Sequence, residues 1–89
     1  MLKIERTNAF KKDFKRVLKR GCSEQKLITI LKLLVTEQAL PVRCKPHRLI
    51  GEHSKYWECH IEPNWLLIYE YSADKIILIR TGTHSDLFK

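Results

Sequence analysis

Arg80, His84 and Phe88 recur at four-residue intervals near the end of the chain, after the aliphatic run Ile76-Ile77-Leu78-Ile79. The guanidinium is a permanent cation, the imidazole titrates near neutral pH, and the phenyl ring offers a stacking surface. Together they can grip a phosphate, move a proton and hold a base. Gly82 lies between the cation and the imidazole and lets the backbone turn out of a strand. Three more imidazoles, His47, His53 and His60, lie upstream. RNA is cut without a metal when its own 2′-hydroxyl attacks the adjacent phosphorus. That route needs a base for the hydroxyl, an acid for the leaving 5′-oxygen and a cation for the phosphate oxygens. Histidines together with Arg80 can supply all three.

Each group also has a plainer reading. His60 and His84 can be solvated surface residues, and His47, between Pro46 and Arg48, can be satisfied by backbone. His53 sits in the polar segment Glu52-His53-Ser54-Lys55 and reads as a solvated loop residue. Arg80 can pair with Glu58 or Glu62, and Phe88 can dock on the core. Only convergence in space favours a site. A zinc site is a rival, because two residues separate Cys44 from His47. No second spaced pair follows, and the neighbours Cys59 and His60 point to opposite faces of a strand. The carboxylates do not cluster as a two-metal nuclease requires, and no Gly-rich phosphate loop or Ser/His/Asp set occurs. Neither metal nor cofactor is expected.

The elements that must position these groups are legible from periodicity. Leu2 and Ile4 alternate with Lys3 and Glu5, which predicts a short strand with one buried face. Asn8 is placed to cap a helix with an apolar stripe of Phe10, Phe14, Val17 and Leu18, ended by Gly21. Its outer face carries Lys11, Lys12, Lys15, Arg16 and Lys19. Ser23 is placed to cap a second helix, with Leu27, Ile30, Leu31 and Leu34 inward. A loop runs from Ala39 to Gly51. Three strands follow: Trp57 to Glu62, Trp65 to Tyr71 and Lys75 to Thr81, with turns at Pro63-Asn64 and Ser72-Ala73-Asp74. The order β-α-α-β-β-β defines an α+β fold with a helix pair on an antiparallel sheet.

Register places the chemistry. With Glu62 opposite Trp65, His60 falls opposite Leu67. With Tyr71 opposite Ile76, Leu67 falls opposite Arg80. His60, Leu67 and Arg80 then form one row, with Glu58 and Tyr69 further along the same face. Strands spaced about 4.8 Å apart put the His60 and Arg80 backbones roughly 10 Å from each other. Cys59, Ile61, Leu66, Ile68, Ile77 and Ile79 are expected on the opposite face, under the helices.

The chain has 89 residues, 44% of them hydrophobic, enough for one small domain spanning 1–89. Lys+Arg 17 against Asp+Glu 10 gives a net charge of +7. That balance favours a polyanionic partner, nucleic acid above all. No apolar run approaches the roughly 20 residues of a membrane span, and the first residues do not read as a signal peptide. Three irregularly spaced cysteines suit free thiols in a reducing cytoplasm.

His60-Ile61-Glu62-Pro63-Asn64-Trp65, Leu67-Ile68-Tyr69, and Arg80-Thr81-Gly82-Thr83-His84-Ser85 with Phe88 resemble the YafQ-type branch of the RelE superfamily. His47-Arg48-Leu49-Ile50-Gly51 resembles the same branch, and the likeness runs over nearly the whole chain. Its members are toxins of bacterial type II toxin–antitoxin pairs with a RelE-like microbial RNase fold. The resemblance implies a ribosome-dependent, metal-independent endoribonuclease that cuts mRNA in the A site. It implies His47, His60 and His84 as acid–base residues and Arg80 as the phosphate-stabilising cation. Phe88 would position the nucleotide, Trp65 would be structural or base-orienting, and Asn64 would lie beside the substrate. Lys11, Lys12, Lys15 and Arg16 would contact ribosomal RNA phosphates. The implied partners are a DinJ-like or RelB-like antitoxin, the ribosome and its mRNA, with DNA reached only through the antitoxin. Asn64 departs from the family, which typically has an acidic residue before that tryptophan; an amide cannot take a proton. A non-catalytic ribosome-binding module and an antitoxin-dependent co-repressor are the alternatives.

Overall fold

A computed structural model describes residues 1–88, apart from the side chain of His53. The chain runs β1 (Lys3–Arg6), α1 (Asn8–Lys19), α2 (Glu24–Val35), β2 (His47–Arg48), β3 (Trp57–Glu62), β4 (Trp65–Ser72), β5 (Lys75–Gly82) and α3 (His84–Leu87). The strands form one sheet in the order β1-β5-β4-β3-β2. β3, β4 and β5 are an antiparallel meander, and β1 returns beside β5 in parallel. The α+β class, the two long helices and the three long strands are as the periodicity predicts.

Four local features differ from that reading. Thr7, not Asn8, caps α1: its side chain accepts from the backbone N–H of Phe10 at 3.0 Å and donates to the carbonyls of Leu78 and Ile79. β1 is an edge strand and exposed along its length, so Ile4 is not buried. The Ala39–Gly51 segment is not all loop, since β2 pairs there with β3. The C-terminal tail turns into α3, whose Thr83 and Asp86 form a reciprocal cap.

The core lies between the helices and one face of the sheet. Phe10 and Val17 from α1 and Leu27, Ile30 and Leu34 from α2 cover Cys59, Trp65, Leu67, Tyr69, Ile76 and Leu78. Leu67 and Tyr69 are therefore core residues, against the expected site face. Both turn registers are as expected, Glu62 opposite Trp65 and Tyr71 opposite Ile76. A bulge then inserts Ile61 into β3, and a second inserts Ile79 into β5. Each shifts the part of its strand beyond it by one residue against β4, so Leu66 and Ile68, not Leu67 and Tyr69, share the face of His60 and Arg80, and Ile76 and Leu78 fill the core where Ile77 and Ile79 were expected. His60 thus pairs with Leu66, not Leu67, and Arg80 with Ile68, not Leu67. Because both neighbours shift together, His60 and Arg80 still share a face.

Candidate active site

On the face away from the core that α1 and α2 cover, the pairings set out two rows. His47, Glu58, Ile68 and Arg80 form one; His60, Leu66 and Gly82 form the other. Leu66 and Ile68 are almost fully buried between them. Gly82 ends β5 with φ +150° and hands the chain to α3, whose first residue is His84. That turn lays the His84 ring 6.0 Å from the ring of His60, centre to centre. On its other side His84 is 6.0 Å from the ring of Phe88, which is half exposed. Two imidazoles and a phenyl ring therefore make a continuous strip at the end of the sheet.

The hydrogen bonds of the histidines restrict their tautomers. His60 Nδ1 lies 3.2 Å from the Pro63 carbonyl, and His47 Nδ1 lies 2.8 Å from the Lys45 carbonyl. A carbonyl only accepts, so in both bonds Nδ1 carries the proton. Neutral His60 and neutral His47 therefore each present an unprotonated Nε2. The Nε2 of His47 is 3.6 Å from the carboxylate of Glu58, which is itself buried. A protonated His47 forms an ion pair there. The side chain of His53 lies outside the described residues.

Arg80 is held from α1. Its Nε and Nη2 both donate to the carboxylate of Asp13, the Nη2 bond at 3.2 Å. Asp13 is only 3% exposed and also accepts from the Thr81 backbone N–H at 3.2 Å and from Arg16 Nη2 at 2.8 Å. β1 leaves the sheet at Arg6, opposite Leu78, so the edge of β5 beyond it is free for Asp13 to approach. The hydrogen bond to Asp13 raises the pKa of Arg80 above its ordinary value, so the cation is permanent and fixed in direction. Arg80 does not pair with Glu58 or Glu62. Glu62 bonds Lys26 instead, at 2.9 Å.

A second ionic clamp fixes α3. Asp86 accepts from the Thr83 backbone N–H at 2.9 Å and takes a bidentate pair from Arg20, at 2.6 and 3.1 Å. The Arg20 guanidinium and these cap bonds hold the Asp86 carboxyl well below the usual carboxylate range. The loop that aims His84 is thus tied to the end of α1.

The remaining expected site residues separate into groups. Asn64 is exposed in the β3–β4 turn. Trp65 is a core residue, 3% exposed, whose indole donates to Thr81 Oγ1 at 2.8 Å, and that hydroxyl donates on to the Leu66 carbonyl. Its burial favours the structural role over contact with substrate. Lys11, Lys12 and Lys15 are exposed on α1, as the basic face predicts. Arg16 is instead turned inward onto Asp13 and lies 4.0 Å from Asp86, so it is not a free cation. Cys44 is fully buried while His47 is exposed, and among the described residues no three His, Cys, Asp or Glu side chains group to hold a metal ion.

Sequence reasoning missed Asp13, Asp86 and the burial of Glu58. Asp13 is a carboxylate on the apolar stripe, one turn from both Phe10 and Val17, and that misplacement was its signal. Asp86 stands three residues after Thr83, the spacing of a helix cap.

The family model described as bacterial toxin of type II toxin–antitoxin system, YafQ, matches residues 2–89. The mRNA interferase toxin YafQ of Escherichia coli K12 is 37% identical over 86 residues, covering 96% of this chain and 94% of that protein. A chain of the E. coli DinJ–YafQ complex superposes with a TM-score of 0.91 at 36% identity, covering the whole of this chain and of that one. A copper-bound mutant toxin from Helicobacter pylori gives a TM-score of 0.95 at 35% identity, covering 99% of this chain and all of that one. These likenesses place the chain among the endoribonuclease toxins of type II toxin–antitoxin systems. Within that class, it belongs to the YafQ family of mRNA interferases.

Proposed function

We propose that residues 1–89 act as one toxin domain that cuts mRNA in the ribosomal A site by metal-independent attack of the 2′-hydroxyl. The observation that carries this reading is the His60–His84 pair, 6.0 Å apart and on the same face as Arg80. His60 takes the 2′-hydroxyl proton on Nε2, since its Nδ1–H is committed to the Pro63 carbonyl. The 2′-oxygen bonds to phosphorus and the bond to the 5′-oxygen breaks. Protonated His84 gives its proton to that oxygen, leaving a 2′,3′-cyclic phosphate and a 5′-hydroxyl. Arg80, held by Asp13, stabilises the negative charge that builds on the non-bridging oxygens. Phe88 stacks on the base beside His84, and Asn64 hydrogen-bonds the substrate. His47, with Glu58 at 3.6 Å, supplies a second imidazole able to hold a proton at the margin of the site.

The net charge of +7 and the exposed Lys11, Lys12 and Lys15 suit attraction to ribosomal RNA phosphates. The same charge suits neutralisation by an acidic, DinJ-like or RelB-like antitoxin, through which DNA would be reached. No helix among the described residues is long and apolar enough to cross a membrane. Work at the ribosome places the protein in the cytoplasm. Expression in bacteria tests the reading. The wild-type chain should arrest growth and leave mRNA cuts at codon positions, and His60→Ala and His84→Ala should do neither. A His84→Ala protein that cuts ribosome-bound mRNA at the wild-type rate would refute it.

A further inference from the structure

A cavity of about 320 Å³ opens between α2, the 3-10 turn Val42–Cys44 and the turn joining β3 to β4. His60 and Pro63 form part of its wall, so it adjoins the imidazole assigned as base. Ile30 and Ile61, both nearly fully buried, give it an apolar lining. Besides His60, its polar lining is Lys26, Thr29, Arg43 and Glu62, and the Thr29 hydroxyl donates to the Gln25 carbonyl of its own helix. Lys26 and Glu62 neutralise each other at 2.9 Å. Arg43 is exposed and makes no ion pair or side-chain hydrogen bond with any described residue.

An uncommitted guanidinium beside an apolar slot has the equipment for a phosphate and its base. The volume is at the lower end of small-molecule sites, the scale of one nucleotide. A chain threading past His60 carries its next nucleotide only one phosphate away. We propose that this cavity is a second nucleotide subsite, which takes the mRNA residue adjoining the scissile phosphate. The base enters the Ile30–Ile61–Pro63 slot and the flanking phosphate lies on Arg43. The proposal rests on the mRNA-cutting reading above.

Arg43→Ala and Arg43→Lys test it, because Arg43 is exposed and has no structural partner to lose. On ribosomes with a bound mRNA, Arg43→Ala should slow single-turnover cleavage roughly tenfold or more, the loss of one charge-assisted contact. Arg43→Lys should fall between, keeping the charge without the fork. An abasic nucleotide on the appropriate side of the cut should slow the wild-type protein and add little in Arg43→Ala. Affinity for ribosomes with an empty A site should not change. Cleavage by Arg43→Ala at the wild-type rate overturns the subsite alone, as does equal slowing by abasic nucleotides on both sides in both proteins. Lost affinity for empty ribosomes overturns it in favour of a ribosomal RNA contact. No cutting by the wild-type protein overturns both readings.

Discussion

Asp13→Asn removes one charge and almost no volume, and its consequence follows from four donors. The two oxygens of Asp13 accept from Arg80 Nε, Arg80 Nη2, Arg16 Nη2 and Thr81 N–H. An amide keeps one oxygen and replaces the other with a donor. Each oxygen takes two of the four, so whichever way the amide turns two of these donors face an N–H, and two guanidiniums lose their counterion. Breaking a buried ion pair from one side costs about 3–5 kcal/mol. The side chains of Arg80 and Arg16 are 36% and 40% exposed, so water recovers part of that. A loss of about 2–4 kcal/mol remains. For a domain of this size it lowers the thermal midpoint by roughly 10–25 °C. Arg80 also loses its direction, and misplacing a phosphate-stabilising cation should slow the chemical step roughly tenfold to a hundredfold. Circular dichroism melting gives the first quantity. Single-turnover cleavage of ribosome-bound mRNA, well below the midpoint, gives the second. An unchanged midpoint refutes the buried-carboxylate argument. A lowered midpoint with wild-type cleavage shows that Asp13 supports the fold without positioning Arg80.

Three further outcomes follow from the same contacts. Gly82→Ala should destabilise the fold and displace His84, because a Cβ there would lie 2.8 Å from Asp86 Oδ2 on a backbone of φ +150°; melting and cleavage should fall together. The folded pKa of Asp86 is depressed below its unfolded value near 3.9, so the unfolded state binds the proton first. Its contribution is therefore full above about pH 4 and lost as pH falls below that, and acid titration of Asp86→Asn should lack this component. Burial pushes the Cys59 thiol up to about 12, and Cys44 is fully buried, so alkylation of the native protein at pH 8 should label Cys22 alone, as read by peptide mass spectrometry.

The hairpins were legible because Pro63-Asn64 and Ser72-Ala73-Asp74 interrupt strong apolar runs. The bulges were not. Ile76 to Ile79 is uniformly aliphatic, so alternation cannot reveal that Ile79 is the extra residue, and Ile61 lies in a strand whose alternation reads as regular through Glu62. His60 and Arg80 could still be grouped, because the two shifts act in the same sense on either side of β4. β2 escaped notice because two residues carry no periodicity. The ionic supports were hidden differently. Arg16 sits within a basic run and reads as surface, yet its partner lies on the buried stripe of the same helix. Whether Arg80 meets Asp13, Glu58 or Glu62 depends on where β1 ends, a tertiary fact absent from local sequence.

Replacing the single ribose 2′-hydroxyl at the cut site by hydrogen, in an mRNA bound to the ribosome, tests the central claim most directly. The wild-type protein should leave this mRNA whole while cutting its all-ribose counterpart to a 2′,3′-cyclic phosphate and a 5′-hydroxyl. Cleavage of the deoxy-substituted message at a comparable rate would contradict it, because an external nucleophile would then be doing the work assigned to the substrate's own hydroxyl.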